Sequence, residues 1–268
     1  MKKITVAFLA FLAITQSAVA QDISAYLQGK YIDVAQAKEK LSGAGYKVIA
    51  EYTSVKDGIT LVFTDDALKS EASKPKRAYA AVLRIFVDNK EKKISITNPV
   101  YFGRAYMQDD YNAKVFEAEL ANIKKTFSGL KGSKDMLDAD DISGYHFMMG
   151  MPYYEDPDEL AEGKTADLLK KVQSYKGGKN VVFTLKLNDD SYLIGYDLSA
   201  DTKKFVEKIG RANASVLPYT ISIEKDVATS LAAKYYLALC YPLLSMGGFT
   251  TIMDIPGAIT EELTTPFK

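Results

Sequence analysis

Along the chain, short runs of alternating apolar and polar residues recur between turn residues, and one order of elements is traversed twice. In the first passage residues 25–31 alternate as a strand, and residues 34–41 carry apolar positions at helical spacing, punctuated by Gly43 and Gly45. Strands are predicted at residues 46–54 and 59–64 across Lys56-Asp57-Gly58, and at 80–87 and 93–97 across Asp88-Asn89-Lys90. Helices fill residues 65–73 and 112–127, and Asn98-Pro99 reads as a stop to pairing.

The second passage begins with a strand at residues 145–151. Asp156-Pro157-Asp158-Glu159 then reads as a helix start, with Asp as N-cap, Pro at the first helical position and Glu at the third, for a helix reaching about residue 175. Strands follow at 180–187 and 192–197 across Asn188-Asp189-Asp190, a helix at 200–209, strands at 219–224 and 229–239, a stop at Tyr241-Pro242 and a helix at 258–263. Each passage is β-α-β-β-α-β-β-α. Tight turns join antiparallel strands, so the expected class is α+β: two tandem units, at residues 21–127 and 144–268, with mainly antiparallel sheets covered by helices. Leu41 aligns with Val172, Val48 with Val181, Val87 with Ile223 and Pro99 with Pro242. Residues 128–143, rich in Gly, Ser, Lys and Asp, read as the linker.

Ahead of the first unit stands a different pattern. Lys2 and Lys3 precede the apolar run 4–15, and Ala18-Val19-Ala20 has the form of a signal-peptidase site. Residues 1–20 are therefore expected to be a signal peptide cut at about Ala20/Gln21, placing the mature chain in the periplasm or outside the cell. The chain has 34 Lys+Arg and 34 Asp+Glu; because the leader's only charges are two lysines, the remainder carries −2. That balance gives no bulk electrostatic reason to bind nucleic acid. Cys240 is the sole cysteine, so no intramolecular disulfide forms, and its apolar neighbours mark it as a buried hydrophobe. Tryptophan is absent, while 18 tyrosines and 12 phenylalanines supply the aromatic bulk.

The later hairpin resembles domain-of-unknown-function family 302, a bacterial α+β domain. The resemblance rests on Val216-Leu217-Pro218-Tyr219, the strand pair 220–224 and 229–239, and Pro242, with Val82-Leu83-Arg84 and Asn98-Pro99 as first-unit counterparts. That family pattern carries cysteine after the Leu-Pro pair; here the residue is Tyr219, so no cysteine role transfers. What the resemblance implies is a fold, present in two divergent copies, and no activity.

His146 is the only histidine, and no nucleophile motif, P-loop, G-x-G-x-x-G or haem-attachment sequence accompanies it. A strand at 145–151 would place His146 and Met148 on one face as two soft ligands for Cu(I), with Met107, Met136, Met246 or Met253 as a third. The same methionines equally fill a core. Asp135, Asp138, Asp140 and Asp141 lack EF-hand order and suit a solvated linker. Tyr235–Met253 runs 19 residues without a charge, but Pro242 and Gly247-Gly248 interrupt it, against a membrane span. Tyr101, Tyr106, Tyr111, Tyr153 and Tyr154 cluster at unit edges, where a phenol suits an interaction surface. The expected protein is an exported, soluble, non-catalytic binding module that needs no cofactor and takes a small apolar molecule, a peptide or a second copy of itself. The alternatives are an enzyme with a carboxylate or tyrosine site between the units, and a copper-handling protein built on His146 and Met148.

Overall fold

The computed structural model describes residues 21–268; the leader expected at residues 1–20 lies outside the described residues. Among the described residues thirteen strands and ten α-helices follow in chain order. The first part runs β1 (Asp22–Ser24), β2 (Tyr26–Lys30), α1 (Val34–Gly43), β3 (Lys47–Val55), β4 (Gly58–Thr64), α2 (Asp66–Ala72), β5 (Leu83–Asp88), β6 (Lys93–Thr97), α3 (Pro99–Met107) and α4 (Ala113–Thr126). Then come β7 (Lys131–Gly132), β8 (Met136–Asp138), β9 (Asp158–Glu162), α5 (Thr165–Ser174), β10 (Val181–Asn188), β11 (Ser191–Tyr196), α6 (Ala200–Lys203), α7 (Phe205–Ile209), β12 (Tyr219–Glu224), β13 (Val227–Ser230), α8 (Ala233–Cys240), α9 (Met246–Thr250) and α10 (Ile255–Thr264).

Two fully antiparallel sheets result, in the orders β3-β4-β5-β6-β2-β7 and β10-β11-β12-β13-β9, with a small β1-β8 pair beside them. The class is α+β, as expected. Leaving β7 aside, both sheets put their strands in the same order relative to the chain. Local signals explain many elements. Asp33 and Gln36 close a capping box on α1. The β12–β13 turn holds Lys225 and Asp226 both at positive φ, as a type I′ hairpin turn requires.

Several expectations are corrected. Residues 145–151 form a loop of turns and bends, not a strand. Asp158 and Glu159 belong to edge strand β9, and the helix begins only at Thr165. Its first turn is satisfied from a distance: the Asp226 carboxylate accepts from the Thr165 N–H at 2.7 Å. The segment 229–239 splits into β13 and helix α8, and Asn98-Pro99 opens helix α3, with Asn98 accepting from Val100 N–H. α3 and α8 thus hold the same place after their hairpins, so Pro99 corresponds to Ala233, and Pro242 lies beyond the end of α8. The stretch read as a linker is woven in: β7 pairs with β2, β8 with β1, and Ile142 is fully buried. Among the described residues no helix is long and apolar enough to cross a membrane.

The halves share one continuous core, and its centre is the C-terminal end of α8. A helix leaves its last carbonyls without internal partners, and α8 ends in the interior. Every one is met. Tyr241 N–H donates to Leu237 and Ala238 (2.9 and 3.3 Å), the Tyr101 hydroxyl to Leu239 (2.9 Å), and the Tyr26 hydroxyl and Asn213 amide to Cys240 (3.0 and 2.9 Å). In the reciprocal direction the Tyr235 hydroxyl reaches the Ala105 carbonyl of α3 at 3.5 Å. Burial raises the pKa of Tyr26, Tyr101 and Tyr235 well above 10, so all three stay protonated donors. Cys240 sits among them, its thiol pushed up to about 12 by burial.

At the other side of the first sheet, Tyr46 donates to Glu119 of α4 at 2.6 Å and Asn122 to the Ala44 carbonyl at 3.1 Å, docking α4 on the α1–β3 corner. Burial and the nearby Asp65 lift the Glu119 pKa from 4.5 to about 7.

Two outcomes are expected in urea unfolding of the mature chain. Tyr101→Phe strands a buried carbonyl and should cost about 1–3 kcal/mol; Tyr235→Phe, whose bond is longer, should cost less, and the reverse ranking would refute the capping role. A raised folded-state pKa at Glu119 adds stability below about pH 4.5 that is lost as pH climbs through 7. Wild type should accordingly lose up to about 3 kcal/mol over that window relative to Glu119→Gln, and parallel pH profiles for the two proteins would contradict it.

Candidate functional site

Strands expose alternate residues on each face, and the register of the β12–β13 hairpin, Ser222 with Thr229 and Glu224 with Val227, places these four on one face. Ile221, Ile223 and Ala228 face the other way, into the core beneath α5. Over the first face lies a cavity of about 310 Å3, lined mainly by apolar atoms. Pro75, Lys76 and Tyr79, from the segment after α2, form one wall, and Tyr154, Glu155 and Pro157, ahead of β9, form another. The cavity therefore sits where the two halves meet.

Its floor is aromatic. Tyr79 and Tyr154 meet edge to face, their centroids 6.4 Å apart, and Tyr106 lies 6.3 and 6.2 Å from them. Both phenols are engaged: Tyr154 donates to the Lys76 carbonyl, and the Tyr79 hydroxyl lies 3.4 Å from Thr229 Oγ1. Burial raises both above 10, so neither serves as a base near neutral pH. The rim is charged. Glu155 pairs with Arg77 at 3.1 Å and with Lys76 at 3.7 Å, Arg77 also holds Asp110 at 2.9 Å, and Glu224 accepts from the Lys76 backbone N–H at 2.9 Å. An apolar body with a polar end fits this arrangement: rings below, mixed charge at the mouth.

The same place in the first sheet is closed. On hairpin β5–β6, Phe86 and Asp88 stand where β12 carries Ser222 and Glu224, since Val87 aligns with Ile223. There the Arg211 guanidinium clamps Asp88 through Nε and Nη2, both at 3.0 Å, and lies 5.8 Å over the Phe86 ring. Only about 50 Å3 remains. A serine for a phenylalanine, and a lysine that contributes its backbone rather than a guanidinium, leave the second groove open.

Of the site candidates read from sequence Tyr154 alone lines this cavity, joined by Pro157 from the stretch expected to start a helix. Tyr101 and Tyr106 are buried, 0% and 5% exposed, and join the halves from within instead of facing a partner. Tyr153 is exposed and rests against His146, ring centroids 4.2 Å apart. His146 and Met148 lie in the loop at 144–151, which lacks the strand pleat that would have aligned them; the imidazole instead has the Gly144 carbonyl at 3.4 Å and the Tyr153 hydroxyl at 3.3 Å. Among the described residues no group of three His, Cys, Asp or Glu side chains is placed to hold a metal ion. Asp135 is turned inward, accepting from Asn213 at 3.2 Å, with its pKa raised by burial. Tyr79, Ser222, Glu224 and Thr229 escaped sequence reasoning. The pairing of Val87 with Ile223, carried one position back, sets Phe86 against Ser222, and that missing ring is the available signal.

Comparison with known proteins finds no match among family models, curated proteins or solved structures.

Removing the clamp in the first groove leaves Asp88, 3% exposed, without its cation. Arg211→Met should cost about 3–5 kcal/mol in chemical denaturation, and adding Asp88→Asn to it should recover part of that loss. A cost under 1 kcal/mol would show that the clamp does not hold the first groove shut.

Proposed function

We propose that the protein is an exported, non-catalytic binding protein that holds a small, largely apolar molecule in the groove over β12–β13. The observation that carries this reading is the asymmetry of the two grooves. One fold position is filled by Phe86 and an arginine clamp, while its counterpart keeps about 310 Å3 open above Ser222. A concave, mainly apolar surface of that size takes the body of a small molecule out of water, which is the usual build of a small-ligand site. Tyr79 and Tyr154 offer ring faces and edges for a flat apolar body, and Lys76, Glu155, Glu224 and Lys225 surround the entrance with both signs of charge. Such a ligand would be oriented by its polar end and held by its apolar one. The leader read in residues 1–20 supports a periplasmic or secreted site of action, where a scavenged or delivered small molecule would be met.

Ser222→Phe installs in the second groove the ring that fills the first. Screened by ligand-observed NMR against single-ring aromatic fragments with one polar substituent, wild type should bind members of the set. Ser222→Phe should bind the same fragments at least about tenfold more weakly while unfolding at an equal or higher temperature. Unchanged affinity in the variant, or no fragment bound by wild type, would overturn the reading.

A further inference from the structure

Behind Tyr79 lies a second, much smaller cavity, with room for about one water-sized guest. Tyr79 lines both spaces and stands between them. One wall is Arg84 of β5, only 7% exposed. A guanidinium so deeply buried normally faces a carboxylate, because an unpaired interior charge costs several kcal/mol. Among the described residues Arg84 faces none: its acceptors there are neutral, the Tyr236 hydroxyl at 2.8 Å and the Pro218 carbonyl at 3.3 Å. Its Nε has no partner at all, so three of the five N–H bonds are unspent. The neighbouring phenols supply no negative charge, since burial keeps Tyr106 and Tyr236 protonated. Thr97, Thr220 and Tyr106 add hydroxyl-bearing side chains to the cavity wall.

We propose that this cavity is a binding site for a single monatomic anion of the halide class, chloride in a physiological medium, held by the Arg84 guanidinium as its missing counter-charge. The size excludes oxyanions such as sulfate, and the absence of a protein carboxylate leaves the charge to be balanced from solution. A halide there joins the first half, through Arg84, to the second, through Thr220 and the Tyr236-bound guanidinium, and would stabilise the junction on which the open groove is built.

The test compares thermal unfolding of the mature chain in gluconate, chloride, bromide and sulfate at one ionic strength and constant pH. Chloride and bromide should raise the midpoint saturably, by roughly 5 °C at a hundredfold excess over Kd, with sulfate giving only the non-saturating rise of an excluded salt. Ser222→Phe should keep this response, which separates the anion site from the groove. Arg84→Met should lose it. Should that variant fail to fold, a bromide-soaked crystal of the wild-type chain reads the site directly, with an anomalous peak expected within hydrogen-bond distance of the guanidinium. Equal midpoints in chloride and gluconate, a saturable rise of the same size in sulfate, or no anomalous peak at that position would each overturn the proposal.

Discussion

The structure turns on a helix end placed where water cannot reach it. The last carbonyls of α8 are buried at the junction of the halves, and leaving even one unmet would cost more than a typical hydrogen bond contributes. Two of the donors that meet them, the hydroxyls of Tyr26 and Tyr101, come from the other half of the chain. Tyrosine suits this task because its ring fills core volume and its hydroxyl reaches a carbonyl several ångströms beyond. The pattern recurs: Tyr219 donates to Leu231, Tyr236 to Val216 and Tyr241 to Gly210. The tyrosines, whose clustering at unit edges suggested an interaction surface, serve largely to satisfy interior backbone carbonyls.

Once the halves are fixed in this way, their outer surfaces meet along two grooves, and small differences decide the fate of each. Hairpin tip β3–β4 offers the carbonyls of Lys56 and Asp57 to Arg211, and hairpin tip β10–β11 offers the Leu187 carbonyl to Ser73. At one groove a phenylalanine and a guanidinium fill the space. At the other a serine and a backbone N–H do not. The same ordering of strands therefore yields a sealed joint on one side and a cavity on the other, and the cavity is the feature that packing alone does not require.

Hairpins were legible in the sequence because their determinants are local. Lys56-Asp57-Gly58 and Asn188-Asp189-Asp190 mark turns whichever way the rest of the chain folds, and the apolar spacing over residues 34–41 with Gly43 behind it marks α1. The errors share a different cause. Asp156-Pro157-Asp158-Glu159 looks like a helix start, yet β13 needs an edge partner and takes residues 158–162 for it, while the cap of α5 comes from Asp226, sixty-one positions away. Residues 235–240 are buried on every side, so α8 shows no amphipathic period that separates it from a strand. The candidate site was visible only as Tyr154, because its other walls come from strands and turns brought together across the chain.

The sequence by itself determined the antiparallel α+β class, the positions of the tight turns, the lack of an intramolecular disulfide and the absence of a bulk charge bias, since each follows from residue identity or from neighbours within a few positions. Tertiary structure alone decided which tyrosines are interior donors, that residues 131–138 belong to sheets rather than to a tether, and that one groove is open while its counterpart is plugged. Those outcomes depend on whether a ring at position 86 or a hydroxyl at 222 meets a guanidinium or a backbone amide from the opposite half. Such a meeting is set by distances in space that no local pattern encodes.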